Sequence, residues 1–566
     1  MTIPRYRLSR LLLSILLLAS PIAAHAQEDP HAACAAVGWV PREVLERPLT
    51  LRDGVGNARE KVTTASPEAQ AFYDQGLNYL HGYVWIEAAR SFHQALRLDS
   101  DIAMAHVGLS YVFSGLDDPD AANKALERAQ ALAPKLSEHE RRRIAVRAKH
   151  LEALGDLANP AKHLEYKKAI DQALSADIGD PTLWLLRGNA EEASAAGRGQ
   201  RGGVASTAFY HQALAVAPDN GAAHHYLTHS YETIGRIPEA LAHGEAYARL
   251  APSIPHSHHM WGHDLRRVGR IDDAIAAFQK TLELERAYYA AESIPPGLDW
   301  HHGHNLDLLA TSFQHQGRMR RAEELMREAA ALPAVSDYRE FNRKELAVFF
   351  LGRARWKDAL ASARQLTEGR FAATRAVGNA LAGHALLALG RREEGKASLA
   401  AAEKEVETIP RLVTGISIGA SSVQPYVDAL RGELWLRTDR KEEGRALLKD
   451  VQRAIRAVPG PDAWTQALFR LETIAHTARD VGDWDLAEHS AREMLDHDPA
   501  YAGTHFALAL VAEHRGDREA ATAELVQAER YWRSADGDLP ELTQVRKRRA
   551  ESLAPSPHAS VPASPR

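Results

Sequence analysis

The chain has 566 residues, 45% of them apolar and 25% charged, with a formal net charge of −5. That length exceeds what one compact core organises, so the chain is either several domains or a repeat array. It has no basic block of the kind that tracks a phosphate backbone, which argues against nucleic acid as a partner.

Residues 1–26 carry Arg5, Arg7 and Arg10, then an apolar run from Leu11 to Ala19, then Ala24-His25-Ala26. This is the layout of a secretory signal peptide and predicts an exported protein, periplasmic or secreted. No second apolar run reaches membrane-spanning length, so no transmembrane segment is expected after cleavage. Cys34 is the only cysteine, which excludes an intramolecular disulfide. Acidic residues between the apolar run and Cys34 argue against lipid attachment there. Residues 27–65, with Pro41, Pro48, Gly54 and Gly56, read as an extended arm.

From residue 66 to 535 the chain is periodic. Gly76, Tyr79, Ala88, Phe92 and Ala95 have the offsets of a two-helix unit: a small residue where helices cross, an aromatic, then Ala, bulky and Ala in the second helix. Leu109, Phe113, Ala122, Leu126, Ala129 and Pro134 repeat it. Further units are marked by Trp184, Gly188, Tyr210 and Ala213, with a Gly/Arg-rich insertion at 197–203. Others are marked by Gly235 and Ala240, by Gly262, Gly269, Ala274 and Phe278, and by Phe313, Gly317 and Ala322. Looser units lie near Trp356, Gly383 and Gly432, and sharper ones at Gly482 and Ala487 and at Gly516, Ala521 and Ala528. These residues and spacings resemble the tetratricopeptide repeat family, whose period is about 34 residues. The resemblance implies an all-α solenoid, a right-handed superhelix with a concave inner face. Residues 536–566 form the C-terminal end, and 554–566, rich in Pro, Ser and Ala, read as a disordered tail.

Thirteen of the 28 histidines fall between His211 and His315, and the repeats at 221–335 are His-rich. The unit starting at Gly221 has His225 and His229 at positions 5 and 9, and the unit starting at Pro255 has His259 and His263 at the same positions. Residues i and i+4 share a helix face, about 5–6 Å apart at Cβ. Adjacent first helices pack about 8–10 Å apart, so both pairs can converge. In the tetratricopeptide family positions 2, 5, 9 and 12 line the concave groove. The resemblance therefore adds Glu232 and His304, with His256, Asp307 and His315 as weaker groove candidates. His224 and His258, at position 4, read as packed histidines, and His301 and His302 as loop residues before a helix.

Converging imidazoles suit a divalent transition metal such as Zn, Cu or Fe, with Glu232 as a further ligand or an orienting group. The stretch Ala223-x-His225-x-x-x-His229-x-x-Glu232, His259-Met260-x-x-His263 and His304-Asn305 also resembles a subgroup of exported bacterial repeat proteins. It departs from that subgroup at Trp261-Gly262, where Pro-Ser is usual. The expected function is a binding or scaffold protein, with a protein or peptide in the concave groove and a metal site within it. The alternatives are a periplasmic metalloenzyme, hydrolase or oxidase, and a metal storage or delivery protein. No Gly-x-Ser-x-Gly, His-Glu-x-x-His or Gly-rich phosphate loop is present to name a reaction.

Overall fold

The computed structural model describes residues 40–334, 337–409, 418–458 and 460–553. The expected signal peptide, Cys34 and the expected tail at 554–566 lie outside the described residues. The described structure is helical throughout, with no strand. Helices come in consecutive pairs: Pro67–His81 and Trp85–Leu98 (α1, α2), Ala103–Gly115 and Pro119–Leu132 (α3, α4), Glu138–Leu154 and Pro160–Ala176 (α5, α6), Pro181–Asn189 and Val204–Val216 (α7, α8). Next come Gly221–Thr233 and Ile237–Leu250 (α9, α10), Pro255–Arg267 and Ile271–Glu292 (α11, α12), and Trp300–His315 and Met319–Ala331 (α13, α14). The series ends with Lys344–Gly352 and Trp356–Thr367 (α15, α16), Ala372–Ala388 and Arg392–Thr408 (α17, α18), Ala420–Leu436 and Lys441–Ala457 (α19, α20), Pro461–Asp480 and Trp484–His497 (α21, α22), Ala502–His514 and Arg518–Tyr531 (α23, α24), and a final Pro540–Leu553 (α25).

One turn recurs between paired helices. A residue in the left-handed region lets the next N–H reach back five residues to the first helix, as Arg236 N does to Tyr231 O at 2.8 Å, Arg270 N to Leu265 O at 2.9 Å and Arg318 N to Phe313 O at 2.9 Å. Glycine holds that place at Gly235, Gly269 and Gly317, whereas Tyr83, Asp117 and Ala354 hold it with φ of 54–56°. The small residue at the helix crossing is equally literal: a Cβ on Gly262 would lie 2.7 Å from the Phe278 ring. Helix α11 therefore runs unbroken through Trp261-Gly262, and His259 keeps its place on the helix.

Residues 40–66 contain one helical turn, Arg42–Leu45, and are otherwise turns and irregular chain. Side chains of α1 satisfy their backbone: Asn78 both accepts from Ala58 N and donates to Ala58 O at 2.9 Å, and Gln75 accepts from Arg52 N at 2.7 Å.

The superhelix folds back on itself. At one end Arg90 donates to Glu292 at 2.7 Å, Ser253 N to Gly54 O at 2.8 Å, and Trp300 Nε1 to the Tyr83 carbonyl at 3.2 Å, which lays α1 and α2 over α9–α13. At the other end Arg266 donates to Asp498 at 2.8 Å and Asp536 N to Gly317 O at 3.1 Å, which brings α21–α25 over α11–α14. The inner face of the middle repeats is thereby enclosed. The open concave groove expected at His225–His304 is filled by the chain's own residues.

Candidate metal centre

The centre is built on α9, α11 and α13, three successive first helices. Position 5 and position 9 side chains of α9 and α11 point the same way, because i and i+4 share a face. Three groups of ligand atoms, each within 4.8 Å of one another, result: His225, His229 and His256; His256, His259 and His301; and His259, His263 and His304. All seven rings are buried, with 0–5% of their surface exposed. The pairs His225 and His229, and His259 and His263, therefore converge as their spacing predicts.

The nitrogens confront each other closely. His229 Nε2 and His256 Nε2 each lie 3.1 Å from His225 Nε2, and His263 Nε2 lies 2.8 Å from His259 Nε2. The opposite ring edges are occupied by acceptors. The His81 carbonyl lies 2.7 Å from His225 Nδ1, and because a carbonyl only accepts, His225 carries its proton there. Asn305 donates to Phe278 O at 3.1 Å and so turns its oxygen to His259 Nδ1 at 3.0 Å. Glu285 takes His301 Nδ1 at 2.6 Å and His302 Nδ1 at 2.8 Å. The contacts at His225 and His259 leave a lone pair on Nε2, facing the other rings. His225 Nε2 thus meets two imidazole nitrogens with the one lone pair it presents.

Electrostatics favour neutral imidazoles. Burial, reinforced by neighbouring rings, pushes His256 and His259 well below the usual histidine range. Acidic groups sit behind the rings. Burial would push Glu285 up, but His301 and His302 pull it down to about 2. The carboxylate of Glu232 lies 3.5 Å from His263 Nδ1 and 3.8 Å from His229 Nδ1. It therefore bridges the two pairs from behind and does not share the space of the Nε2 atoms, where a ligand role would put it. Burial and the neighbouring Glu232 push Asp264 well above the carboxylate range. Asp462, at the start of α21, lies 3.5 Å from His304 Nδ1 and accepts from Tyr338 at 3.0 Å.

Other candidates fall elsewhere. Asp307 pairs with Arg339 at 3.2 Å, and His315 with Asp498 at 3.1 Å; neither joins a histidine group. His224 meets His243 of α10 at 2.8 Å, and His258 meets the Pro252 carbonyl at 2.9 Å, both as packed side chains. His301 and His302 are not loop residues. Helix α13 begins at Trp300, capped by Asp299, whose side chain accepts from His301 N at 3.0 Å. This moves the helix start three residues ahead of Gly303 and brings His301 into the cluster. Asp299 was the available signal, an N-cap residue just before an apolar-periodic run. Glu285 and Asp462 carried no signal, since one lies on a second helix and the other more than 150 residues downstream of the cluster.

The residues fit a divalent transition ion. Two nitrogens bound to one tetrahedral ion about 2.0–2.1 Å away lie roughly 3.3–3.4 Å apart, close to the Nε2 separations found here. Carbonyl, amide and carboxylate oxygens behind the rings are the usual orienting partners of metal-bound histidines.

Comparison with known proteins bears on the fold. Residues 473–537 match the tetratricopeptide repeat family model. No curated protein matches the chain. Among solved structures, a human IFIT1 dimer with PPP-AAAA is 12% identical over 77% of this chain and 91% of that one, with a TM-score of 0.38. Yeast Tom70 is 11% identical over 85% and 96%, with a TM-score of 0.31. YrrB, a tetratricopeptide protein with an unusual peptide-binding site, is 14% identical over 35% and 93%, with a TM-score of 0.26. The family match supports the tetratricopeptide assignment of the repeats; the exported subgroup with paired histidines has no counterpart among these proteins. Among the described residues no helix is long and apolar enough to cross a membrane.

Proposed function

We propose that this is an exported helical-repeat binding protein that carries divalent transition ions inside its closed superhelix. The observation that carries the reading is His225 Nε2, which faces two further imidazole nitrogens at 3.1 Å while its own proton is committed to the His81 carbonyl. A cation among these nitrogens would be met by the lone pairs of all three rings. Two histidine groups share no residue, His225/His229/His256 and His259/His263/His304, so up to two ions are accommodated, with His301 between them. The ions tie α9, α11 and α13 together, and the outer faces of the repeats remain for a protein or peptide partner. The arrangement at residues 1–26 supports export.

The test is elemental analysis of protein loaded with Zn or Co and freed of excess. One to two equivalents are expected, falling by about one in His225→Ala and by about one in His263→Ala. A full-length protein that takes up no ion from either metal refutes the reading. A metalloenzyme is the second reading, favoured by the three-histidine composition of each group, which leaves a coordination position open. Azide added to the Co form changes its visible spectrum if that position is open and leaves it unaltered if the ions are purely structural.

A further inference from the structure

A cavity lies among α1–α3, α5 and α7, and Tyr83, His81 and Tyr226 separate it from the histidines. Its volume is about 120 Å³. Tyr73, Phe92, Tyr111, Tyr166, Trp85 and Leu77 are among the residues of its wall.

One charge in that wall is unaccounted for. Arg147 is fully buried. Its Nε donates to Ser110 Oγ at 2.9 Å, and its Nη2 to Ser110 O at 2.8 Å and Ser114 Oγ at 2.5 Å. Its Nη1 meets His150 Nδ1 at 2.8 Å, and its guanidinium lies over the Tyr111 ring at 3.9 Å. His150 Nε2 donates to the Ala195 carbonyl at 2.8 Å, so Nδ1 is an acceptor and His150 is neutral. Every one of these partners is uncharged. The neighbouring Arg143, by contrast, pairs with Glu60 at 2.9 Å and Asp180 at 3.4 Å. Arg198 approaches the same place, donating to the Ser114 carbonyl at 3.0 Å. Proteins bury a lone guanidinium only where something compensates it.

We propose that the cavity is a binding site for a small organic acid, with a carboxylate against Arg147 and an aromatic or branched apolar body among the tyrosines. The Nη1 group of Arg147 donates one hydrogen to His150 and has a second to give. The body gains by leaving water for aromatic walls, and the carboxylate supplies the missing negative charge. The site does not depend on metal in the histidine cluster.

The test uses 3-phenylpropionate and its neutral amide as probes, by calorimetry on the full chain, both metal-loaded and chelator-treated. The acid should bind at least tenfold more tightly than the amide in both forms. Arg147→Met should abolish the preference while leaving the melting temperature unchanged or higher, since it removes a buried charge without leaving a partner charge behind. Should that variant not fold, Leu77→Trp fills the cavity with Arg147 intact and should abolish binding of both probes. Equal affinity for acid and amide, no binding of the acid at millimolar concentration, or a preference that survives Arg147→Met or Leu77→Trp each overturns the proposal.

Discussion

Asn305 shows how a single side chain sets the centre. Its amide is held by Phe278 O on one side and so presents oxygen to His259 Nδ1 on the other. That contact fixes which nitrogen of His259 faces His263. Partners of this kind typically contribute about 10–100-fold in metal affinity. Asn305→Ala should weaken the His259/His263/His304 site by that factor in a competition titration, with the His225 site unchanged. At this scale the sequence was partly legible. The two position-5 and position-9 pairs could be read because helical spacing alone puts them on one face. His256, a weaker groove candidate from position 2, joins two groups. Glu232 was readable as a neighbour, but not as a group behind the rings, because spacing says which face a side chain shares and not which ring edge it meets.

Elements repeat their turn more faithfully than their sequence. Ala354 has φ of 54° and is exposed, whereas Gly235 has φ of 77° with open space where a Cβ would go. The left-handed region costs a non-glycine residue about 1–2 kcal/mol. Ala354→Gly should therefore raise stability to urea unfolding and Gly235→Ala lower it, each by about 1 kcal/mol after the entropy of the glycine chain is allowed for. Glycines at 235, 269 and 317 made most turns visible in the sequence; Tyr83, Asp117 and Ala354 did not. Tyr83 is the informative exception. Its ring lies 4.6 Å from His225 and 5.3 Å from Trp85, and its hydroxyl donates to Arg198 O at 2.5 Å. A left-handed tyrosine at this turn is what aims a ring between cavity and metal centre, a case of backbone strain located at a candidate site.

The whole molecule is held closed by a few buried charges that join distant repeats. Burial pushes Asp498 up, yet His315 and Arg266 together hold it well below the carboxylate range. Burial and Arg266 push His315 down, against the pull of Asp498. Asp498→Asn should cost about 3–5 kcal/mol, because it leaves a buried guanidinium behind; denaturant melts should show the C-terminal repeats opening first. At the other end burial raises Glu60, while Arg143, His139 and Tyr73 lower it further, to about 2. A carboxyl depressed on folding adds stability above its unfolded pKa and loses it as pH falls through the folded one. The arm should thus loosen between about pH 4.5 and 2, and Glu60→Gln should weaken the arm at neutral pH and flatten that acid transition. None of these closures was legible, because repeat periodicity reports contacts between neighbours and is silent about residues hundreds of positions apart.

Enclosure of the histidine rings also sets a clock. An ion bound there, as proposed, would lie among rings only 0–5% exposed, so its release should wait on an opening of the coil. Removal by a chelator should reach a plateau rate that more chelator does not raise, and Asp498→Asn should quicken that plateau. The identity of the ion would then record which metal was at hand when the chain first coiled, and not which one binds best at equilibrium.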